Sequence, residues 1–261
     1  MTVRIAVRAV LVLTAVTGLL YPLAILGIAQ LPGLRDKANG SIVEVGGEPA
    51  GSSLIAQPFD GSNYFHPRPS AADFNPDATA ASNLGPESIE LLNLVCERSK
   101  AVGELEGVDG SRPFCTGDGV GAVLRVFYSD GLTGTVTRAV SVNQRCPAVP
   151  FLAAYSGVPV ECATPGEDGS GGVLVPIRGG APDVPAVPAD AVAASASGLD
   201  PHISVAYARL QAPRVARERG LPLERVNRLI DENTAGRALG FMGEPGVNVL
   251  LLNIALDKLP G

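Results

Sequence analysis

The sequence predicts an α+β protein in which one N-terminal transmembrane helix is followed by an extracellular α/β domain that carries a β-rich insertion. Three observations predict this fold class: an uncharged apolar run near the N-terminus, segments of helical and of alternating periodicity after it, and a stretch rich in Gly, Val, Thr and Ser between those segments. The chain has 261 residues, of which 46% are hydrophobic and 18% charged, so it has enough apolar side chains to form a buried core.

The apolar run occupies residues 9–34, where 26 consecutive residues carry no formal charge. A membrane-spanning helix needs about 20 such residues, and we therefore assign residues 9–34 to a transmembrane helix. Arg4 and Arg8 precede the run, and the bias of cations toward the cytoplasmic flank places residues 1–8 in the cytoplasm and the rest of the chain outside the cell. The alternative is a secretory signal peptide, whose apolar region is usually about 7–15 residues long. Both alternatives export the remainder of the chain.

Thr14, Gly18 and Pro22 recur every four residues within this run. Small residues on one helix face let another helix approach closely, so we predict that this face docks on other membrane helices. Pro22 lacks a backbone N–H group and is expected to kink the helix. We interpret Gln30 as an interfacial residue that ends the span.

Two strands and a long loop are expected after the span. Residues 41–45 and 53–57 flank a glycine-rich turn and predict paired strands. Residues 58–86 are rich in Pro and Asn, and loops of that length are usually functional or disordered. These segments belong to the predicted extracellular core domain, which comprises residues 35–101 and 184–261.

A helix with an apolar face is predicted to begin at Pro86, since proline suits the first helical position. The insertion is expected to cover residues 102–183. Within it, residues 123–128 and 133–142 are β-rich runs on either side of Asp130-Gly131, which predicts a hairpin.

Four cysteines follow the span. In an oxidising compartment an even number predicts two disulfides that brace the insertion, and three pairings are open. The spacings contain no C-x-x-C pair and the chain has only two histidines, so we predict no metal site. The disulfide candidates are Cys96, Cys115, Cys146 and Cys162.

The last third has helical periodicity. Residues 203–219 predict one helix, which Pro213 is expected to bend or split. Residues 223–233 predict a second helix, and residues 247–256 a third, with a strand at its start as the alternative. The predicted buried face of the second helix consists of Val226, Leu229 and Ile230.

No motif for catalysis emerges from the residues. The run of residues 168–172 is similar to the nucleophile loop of serine proteases, but neither histidine lies in the setting of that family's base, and we interpret the run as a glycine-rich loop. His66 and His202 are the candidate general bases for the alternative function, a membrane-tethered extracellular hydrolase. We instead expect His66 and Arg68 to be hydrogen-bonded within a rigid loop, and Asp200 with His202 to cap the helix near residue 203.

Composition excludes one functional class. Lys and Arg number 20 against 26 Asp and Glu, and no Lys/Arg-rich run follows the first few residues, so the basic footprint of a nucleic-acid-binding protein is missing. The chain also has no G-x-x-x-x-G-K-[ST] phosphate loop, so the residues give no support for ATP hydrolysis by this chain.

Four blocks of sequence resemble the C subunit (KdpC) of the Kdp potassium-transporting P-type ATPase. Residues 64–70, for example, read Tyr-Phe-His-Pro-Arg-Pro-Ser, and residues 197–204 read Ser-Gly-Leu-Asp-Pro-His-Ile-Ser. The resemblance covers residues 1 to about 100 and about 186 to 261, and leaves the insertion unexplained. The matched positions that we expect to serve in packing or at an interface are Tyr64, Phe65, His66, Arg68, Ser70, Asn83, Gly85, Asp200, His202, Gln211, Asn248 and Asn253.

The resemblance implies a cell-membrane complex in which this chain is a non-catalytic accessory subunit. The implied partners are a channel-like A subunit that selects potassium, a P-type ATPase B subunit that uses ATP and Mg²⁺, and a small F subunit. The family role is assembly of the complex, and also that of a catalytic chaperone that raises the ATP affinity of the B subunit. Gln30 is the position through which a nucleotide role would be argued. A membrane-anchored binding module without transport partners is a third alternative.

Overall fold

The computed structural model describes residues 2–259, which divide into two compact units at the boundary between Ile55 and Ala56. In the first unit, helix α1 (Thr2–Ala15), a π-helical turn (Val16–Leu20) and helix α2 (Tyr21–Ala29) follow one another without a break. Residues Val3–Ala29 are long and apolar enough to cross a membrane, and an 18-residue stretch within them has a mean hydropathy of 2.3. The predicted N-terminal apolar helix is therefore confirmed as a candidate membrane span.

The bounds of that helix differ from the predicted 9–34. The helix includes Arg4 and Arg8, because charged side chains do not interrupt helical hydrogen bonding. It ends at Ala29, because Pro32 has no N–H group to continue the ladder and Gly33 takes a left-handed φ of 83°.

Pro22 is preceded by the π-helical turn, which is where the helix departs from regular α-helical geometry. The N–H group of Tyr21 donates to the carbonyl of Val16, five residues back, instead of four. A wider turn here accommodates the proline ring, which would otherwise clash with the carbonyl of Gly18. A Cβ atom on Gly18 would lie 3.8 Å from Cγ2 of Thr14, so these two residues share one side of the helix.

The first unit ends in a hairpin. After the short helix α3 (Arg35–Ala38), strands β1 (Ile42–Val45) and β2 (Glu48–Ser52) pair antiparallel. The prediction of a second strand at residues 53–57 was wrong. Gly46 and Gly47 have φ values of 64° and 88°, which suit a two-residue hairpin turn, so the partner strand begins immediately after them.

The main core of the second unit is formed by helices packed on a small sheet. These helices are α4 (Ile89–Glu106), α5 (Ala189–Val192), α6 (Val205–Arg219), α7 (Leu223–Glu232) and α8 (Val249–Asp257). The antiparallel sheet has the order β8 (His202–Ser204), β10 (Gly246–Asn248), β9 (Thr234–Ala235). The fully buried Phe65, from the long loop, belongs to this core. A candidate span followed by a mixed α/β domain confirms the predicted fold class.

Several helix predictions need correction. Helix α4 begins at Ile89, not Pro86, because the hydroxyl of Ser88 accepts the N–H of Leu91 at 3.2 Å and caps the helix. Pro213 does not split α6, because it lies on the exposed side of the helix, where water can hydrate the unpaired carbonyl. The predicted buried face of α7 is confirmed, since its buried residues are Val226, Leu229 and Ile230.

A five-stranded sheet forms a second layer with its own small core. Its order is β5 (Ala154–Tyr155), β6 (Val158–Ala163), β4 (Val136–Arg145), β3 (Val123–Tyr128), β7 (Val173–Pro176). The hairpin predicted around Asp130-Gly131 is confirmed, because β3 and β4 pair antiparallel. The side chains at the centre of this layer are Leu124, Val126, Ala139 and Val160.

Two disulfides resolve the open pairing. Cys96 of α4 bonds Cys115, and Cys146 bonds Cys162 of β6. The glycine-rich loop that was compared with a protease nucleophile loop instead wraps an arginine: a Cβ atom on Gly169 would lie 1.7 Å from Nη1 of Arg125. A larger side chain there would displace the Arg125 guanidinium from its present position.

Candidate functional site

The segment that carries most of the candidate residues, residues 61–70, is held in place by side chains of α6 and α8. Oδ1 of Asn253 accepts the N–H of Phe65 at 2.9 Å, and its Nδ2 donates to the carbonyl of Phe65 at 2.9 Å. Oε1 of Gln211 accepts the N–H of His66 at 2.7 Å, and its Nε2 donates to the carbonyl of His66 at 3.1 Å. Because a primary amide carries a donor beside an acceptor, these two side chains satisfy the backbone N–H and C=O groups of two consecutive residues.

A buried ion pair extends this arrangement. Arg214 lies one turn after Gln211 on α6, and Glu106 ends α4; their side chains are 2% and 1% exposed, and Nη2 of Arg214 lies 3.0 Å from Oε1 of Glu106. Nη1 of Arg214 donates to the carbonyl of Tyr64 at 3.0 Å and to that of Ser62. The carboxylate thus neutralises an arginine whose Nη1 binds loop backbone and whose Nη2 also donates to Oε1 of Gln211 at 3.0 Å. We call Glu106, Gln211, Arg214 and Asn253 the loop brace.

Sequence analysis found only part of the loop brace. Gln211 and Asn253 were among the candidates, but Glu106 and Arg214 were not. The signal for Arg214 was its position three residues after Gln211, which places both on one helix face. Glu106 carried no signal, because its partner is 108 residues away in the chain.

The exposed edge of the loop is closed by Tyr64 and Arg219. The guanidinium carbon of Arg219 lies 4.6 Å from the centroid of the Tyr64 ring, a cation–π contact. Nε of Arg219 donates to the carbonyl of Asn63 at 2.7 Å, and its Nη2 donates to Oδ1 of Asp257 at 2.7 Å. The hydroxyl of Tyr64 donates to the other oxygen of Asp257 at 3.2 Å. Every residue from 62 to 66 is therefore bonded through its backbone or its ring.

His66 is a structural residue in this geometry. Its Nε2 lies 3.1 Å from the carbonyl of Gly61, and burial holds the pKa of His66 below its ordinary value, with the hydrogen bond to Gly61 acting in the opposite direction. The ring is thus neutral at pH 7 and donates from Nε2. A general base needs a nucleophile within hydrogen-bond reach, and this bond goes to a backbone carbonyl instead.

The far end of the loop is tied to residues 193–200. Nη1 of Arg68 lies 3.2 Å from Oδ2 of Asp200, and the hydroxyl of Ser70 donates to the carbonyl of Gly198 at 2.8 Å. Oδ1 of Asp200 accepts the N–H of His202 at 3.0 Å and contacts the ring Nδ1 at 3.3 Å. The hydrogen bond to the His202 side chain is the main reason why the pKa of Asp200 lies below its ordinary value.

The expectation that Asp200 and His202 cap the helix was wrong. His202 and the next two residues form β8, and the hydroxyl of Ser204 caps α6 by accepting the N–H of Tyr207 at 3.0 Å. Oδ1 of Asp190 accepts the Ser204 hydroxyl at 2.9 Å and orients it. Pairing of β8 with β10 takes these residues out of the helix, because strand pairing outweighs local helical preference here.

The remaining candidates lie in different settings. Asn83 has a left-handed φ of 54° and, like Gly85, is exposed on the surface, so the structure does not bring them into the braced segment. Oδ1 of Asn248 caps α8 by accepting the N–H of Leu251 at 3.1 Å. Gln30 is the C-cap of α2 in the first unit. The docking candidates Thr14, Gly18 and Pro22 belong to that same unit.

An open cleft of about 270 Å³ runs along the outer side of the loop. Its two arginines are engaged internally: Arg68 with Asp200, and Arg98 through Nη1, which donates to the carbonyl of Val192 at 3.0 Å. Within residues 2–259, no group of three or more His, Cys, Asp or Glu side chains is arranged to hold a metal ion. The geometry therefore supports a rigid loop surface.

Comparison with known proteins connects these motifs to one family. The family model described as "KdpC: K+-transporting ATPase, c chain" matches residues 3–115 and 177–258, which is well over half of the chain. The chain belongs to the KdpC family. The resemblance inferred from the sequence blocks is thus confirmed. Residues 64–70, Gln211, Arg214 and Asn253 all lie within the matched stretches.

Proteins named potassium-transporting ATPase KdpC subunit are similar over nearly the whole chain. The one from Kineococcus radiotolerans is 38% identical over 255 residues, covering 97% of this chain and 91% of that protein. The one from Rhodospirillum rubrum is 38% identical over 259 residues, covering 98% and 95%. The one from Mycobacterium tuberculosis H37Rv is 36% identical over 256 residues, covering 97% and 96%. These relatives align across residues 116–176, which the family model leaves unmatched.

Proposed function

We propose that this chain is a non-catalytic accessory subunit of a high-affinity, ATP-driven potassium uptake complex. In this proposal it assembles and stabilises a channel-like A subunit and an ATPase B subunit, beside a small F subunit, and the catalytic centre lies on the B subunit. Membership of the KdpC family and the potassium-transporting ATPase names of the relatives support an accessory role in potassium transport.

The observation that carries the proposal is the loop brace. Its amide and guanidinium groups bind the backbone of residues 62–66 and so hold the surface of this loop in one shape. A pre-organised surface binds a partner with less loss of conformational entropy than a flexible one. Holding other subunits in place is the function that this geometry serves best.

The proposed topology puts residues 35–261 outside the cell. Two disulfides support it, because disulfides persist in oxidising compartments and are rare in the cytosol. Arg4 and Arg8 near the start of the span favour a cytoplasmic N-terminus. Protease added to cells whose inner membrane is intact should digest the part of the chain that follows the span. Protease added to inverted membrane vesicles should leave that part undigested. The reverse pattern would overturn the topology.

Docking through the span can be tested with a matched pair of substitutions. A Cβ atom on Gly18 would contact only Thr14, at 3.8 Å, and one on Gly27 would meet nothing within 4 Å, so neither helix position is internally crowded. Gly27 lies nine residues further on, in α2 beyond the π-helical turn, and is not one of the residues of the proposed docking face. Gly18→Leu should abolish copurification of the A subunit with the tagged chain, and Gly27→Leu should preserve it. Equal recovery with both would refute docking through the Thr14–Gly18 face.

A chaperone effect on ATP affinity would have to act across the membrane in this topology, because an external body cannot contact cytoplasmic ATP. We propose that the span transmits it to the B subunit, and that ATP and Mg²⁺ are held by that subunit. Gln30 serves as a helix C-cap through its backbone N–H group. In the complete complex, Gln30→Ala should therefore leave the KM for ATP unchanged. A raised KM would assign Gln30 a nucleotide-linked role.

A further inference from the structure

The connection between β9 and β10, residues 236–245, carries large apolar side chains at its tip. Leu239, Phe241 and Met242 are 83%, 71% and 51% exposed. Three large, exposed apolar side chains thus lie within four consecutive residues, and clustered exposed apolar residues mark interaction sites more often than single ones do. We call these three residues the apolar knob.

The backbone under the apolar knob is closed and regular. Ala238 and Met242 exchange both hydrogen bonds at 2.9 Å, and Nη2 of Arg237 lies 2.6 Å from Oε2 of Glu244. The strands on either side are fixed by the three-stranded sheet. The knob is therefore a shaped projection with its ends pinned.

Leu239 is held in a conformation that leucine disfavours. Its φ of 53° lies in the left-handed region, which for a residue other than glycine costs on the order of 1 kcal/mol. The side chain is almost fully exposed, so packing within the chain does not offset this cost. Glycine at this position would remove the strain, and the presence of leucine points to a contact made outside the chain.

We propose that the apolar knob inserts into an apolar pocket on the external face of another protein subunit of the same membrane complex. This inference rests on the proposed function, because it requires that the chain assemble with other subunits. It deepens that proposal by naming the contact surface and the chemistry of the surface that receives it.

A protein pocket fits the apolar knob better than a lipid surface. A fixed backbone that holds a strained leucine suits a protein cavity of definite shape. Insertion into a fluid lipid interface does not require a fixed side-chain arrangement. Residues 236–245 contain no Trp, Tyr or Lys, and Glu244 neutralises Arg237, so Phe241 is not accompanied by the amphipathic rings or unpaired cations that anchor a segment among lipid headgroups.

The size of the apolar knob also constrains the partner. Three side chains of this size cover at most a few hundred Å², whereas a stable interface buries about 800 Å² on each partner. The knob alone is too small to hold two copies of this chain together. A contact of this size is sufficient in a complex where other contacts already hold the subunits close together.

The absence of tryptophan from the sequence provides a direct test. Phe241→Trp introduces the only tryptophan of this chain at the knob. The emission of a complex that contains the unsubstituted chain is subtracted as the background from tryptophans of other subunits. Val149→Trp, at a position 84% exposed in the β-rich layer, is the matched control. Each full-length chain is measured alone and in the purified complex, in nanodiscs with and without brominated lipid.

For the Phe241→Trp chain, we expect the indole emission to shift to shorter wavelength in the complex and its quenching by acrylamide to fall several-fold. Brominated lipid should not quench it, and the emission of the Val149→Trp control should be the same alone and in the complex. If the emission of Phe241→Trp does not change on assembly, or if brominated lipid quenches it, the inference is overturned.

A second variant measures the contribution of the knob to assembly. Phe241→Asp should reduce recovery of partner subunits at least tenfold without lowering the melting temperature of the isolated chain. If the unsubstituted chain recovers no partner at all, the proposed function fails first. If it recovers partners while the indole of Phe241→Trp stays exposed to acrylamide, only the knob is wrong.

Discussion

The buried pair of Arg214 and Glu106 yields the sharpest prediction for stability. Replacing Arg214 with Met keeps a long apolar side chain but leaves the carboxylate of Glu106 buried without its counter-charge, since both side chains are at most 2% exposed. Breaking a buried ion pair from one side costs about 3–5 kcal/mol. The carbonyls of Tyr64 and Ser62 lose a donor as well. We therefore expect the braced loop to detach and the second unit to be strongly destabilised.

The expected effect is large enough for thermal unfolding to resolve. For a domain of roughly 150–250 residues, 1 kcal/mol shifts the melting temperature by about 2–4 °C, so Arg214→Met should lower it by about 6–20 °C. The matched control is Arg209→Met on the same helix, because Arg209 pairs with Asp231 on the surface with both side chains about 60% exposed. That pair should contribute at most about 1 kcal/mol. Circular dichroism of the full chain in detergent measures both.

A double substitution separates the charge from the packing. The double variant Glu106→Gln, Arg214→Met no longer contains the buried unpaired carboxylate. Its loss of unfolding free energy should therefore be smaller than the sum of the losses in the two single variants. If Arg214→Met lowers the melting temperature no further than Arg209→Met does, the buried pair does not brace the loop. Strict additivity of the two single changes would also contradict the reasoning, because it would show that the two side chains act independently.

Three further predictions concern other parts of the second unit. Burial lowers the pKa of His66, so the folded state binds fewer protons than the unfolded state. The contribution of neutral His66 to stability is therefore complete above the unfolded pKa of about 6.5 and is lost as pH falls through the lower folded pKa. Between pH 7.5 and 5.5 the melting temperature should fall less for His66→Gln than for the unsubstituted chain, and an equal fall in both would contradict this. Replacing Cys96 and Cys115 with Ala opens a loop with a sequence separation of 19 and should cost about 3 kcal/mol in urea unfolding. Reducing agent should destabilise the unsubstituted chain more than this variant, because it opens two disulfides in the former and only Cys146–Cys162 in the latter. Ser204→Ala removes the cap of α6 and should cost about 1 kcal/mol by the same measurement, whereas Ser204→Asp should retain most of the stability.

The β-rich layer has a place in the fold but no assigned role. It contains a separate small core and one of the two disulfides, and the family model does not match residues 116–176. The relatives from Kineococcus radiotolerans and Rhodospirillum rubrum nevertheless align across almost all of this chain. The layer is thus shared by these relatives and lies outside the part that defines the family.

The sequence by itself determined the features that depend on neighbouring residues. The apolar run predicted the candidate span, the spacing of Val226, Leu229 and Ile230 predicted the buried face of α7, and Asp130-Gly131 predicted the β3–β4 hairpin. Periodicity and turn chemistry act over a few residues, so they are legible without the fold. The sequence blocks also identified the family.

Only the tertiary structure decided the features that depend on distant residues. Glu106 meets Arg214 across 108 positions, and Asn253 meets Phe65 across 188, so no local pattern announces either contact. Pairing of β8 with β10 moved the start of α6 to Val205 and made Ser204 its cap. The disulfide pairing was open for the same reason. Each of these outcomes depends on which surfaces meet when the chain folds, and burial then fixes the polar partners because an unpaired buried group is costly.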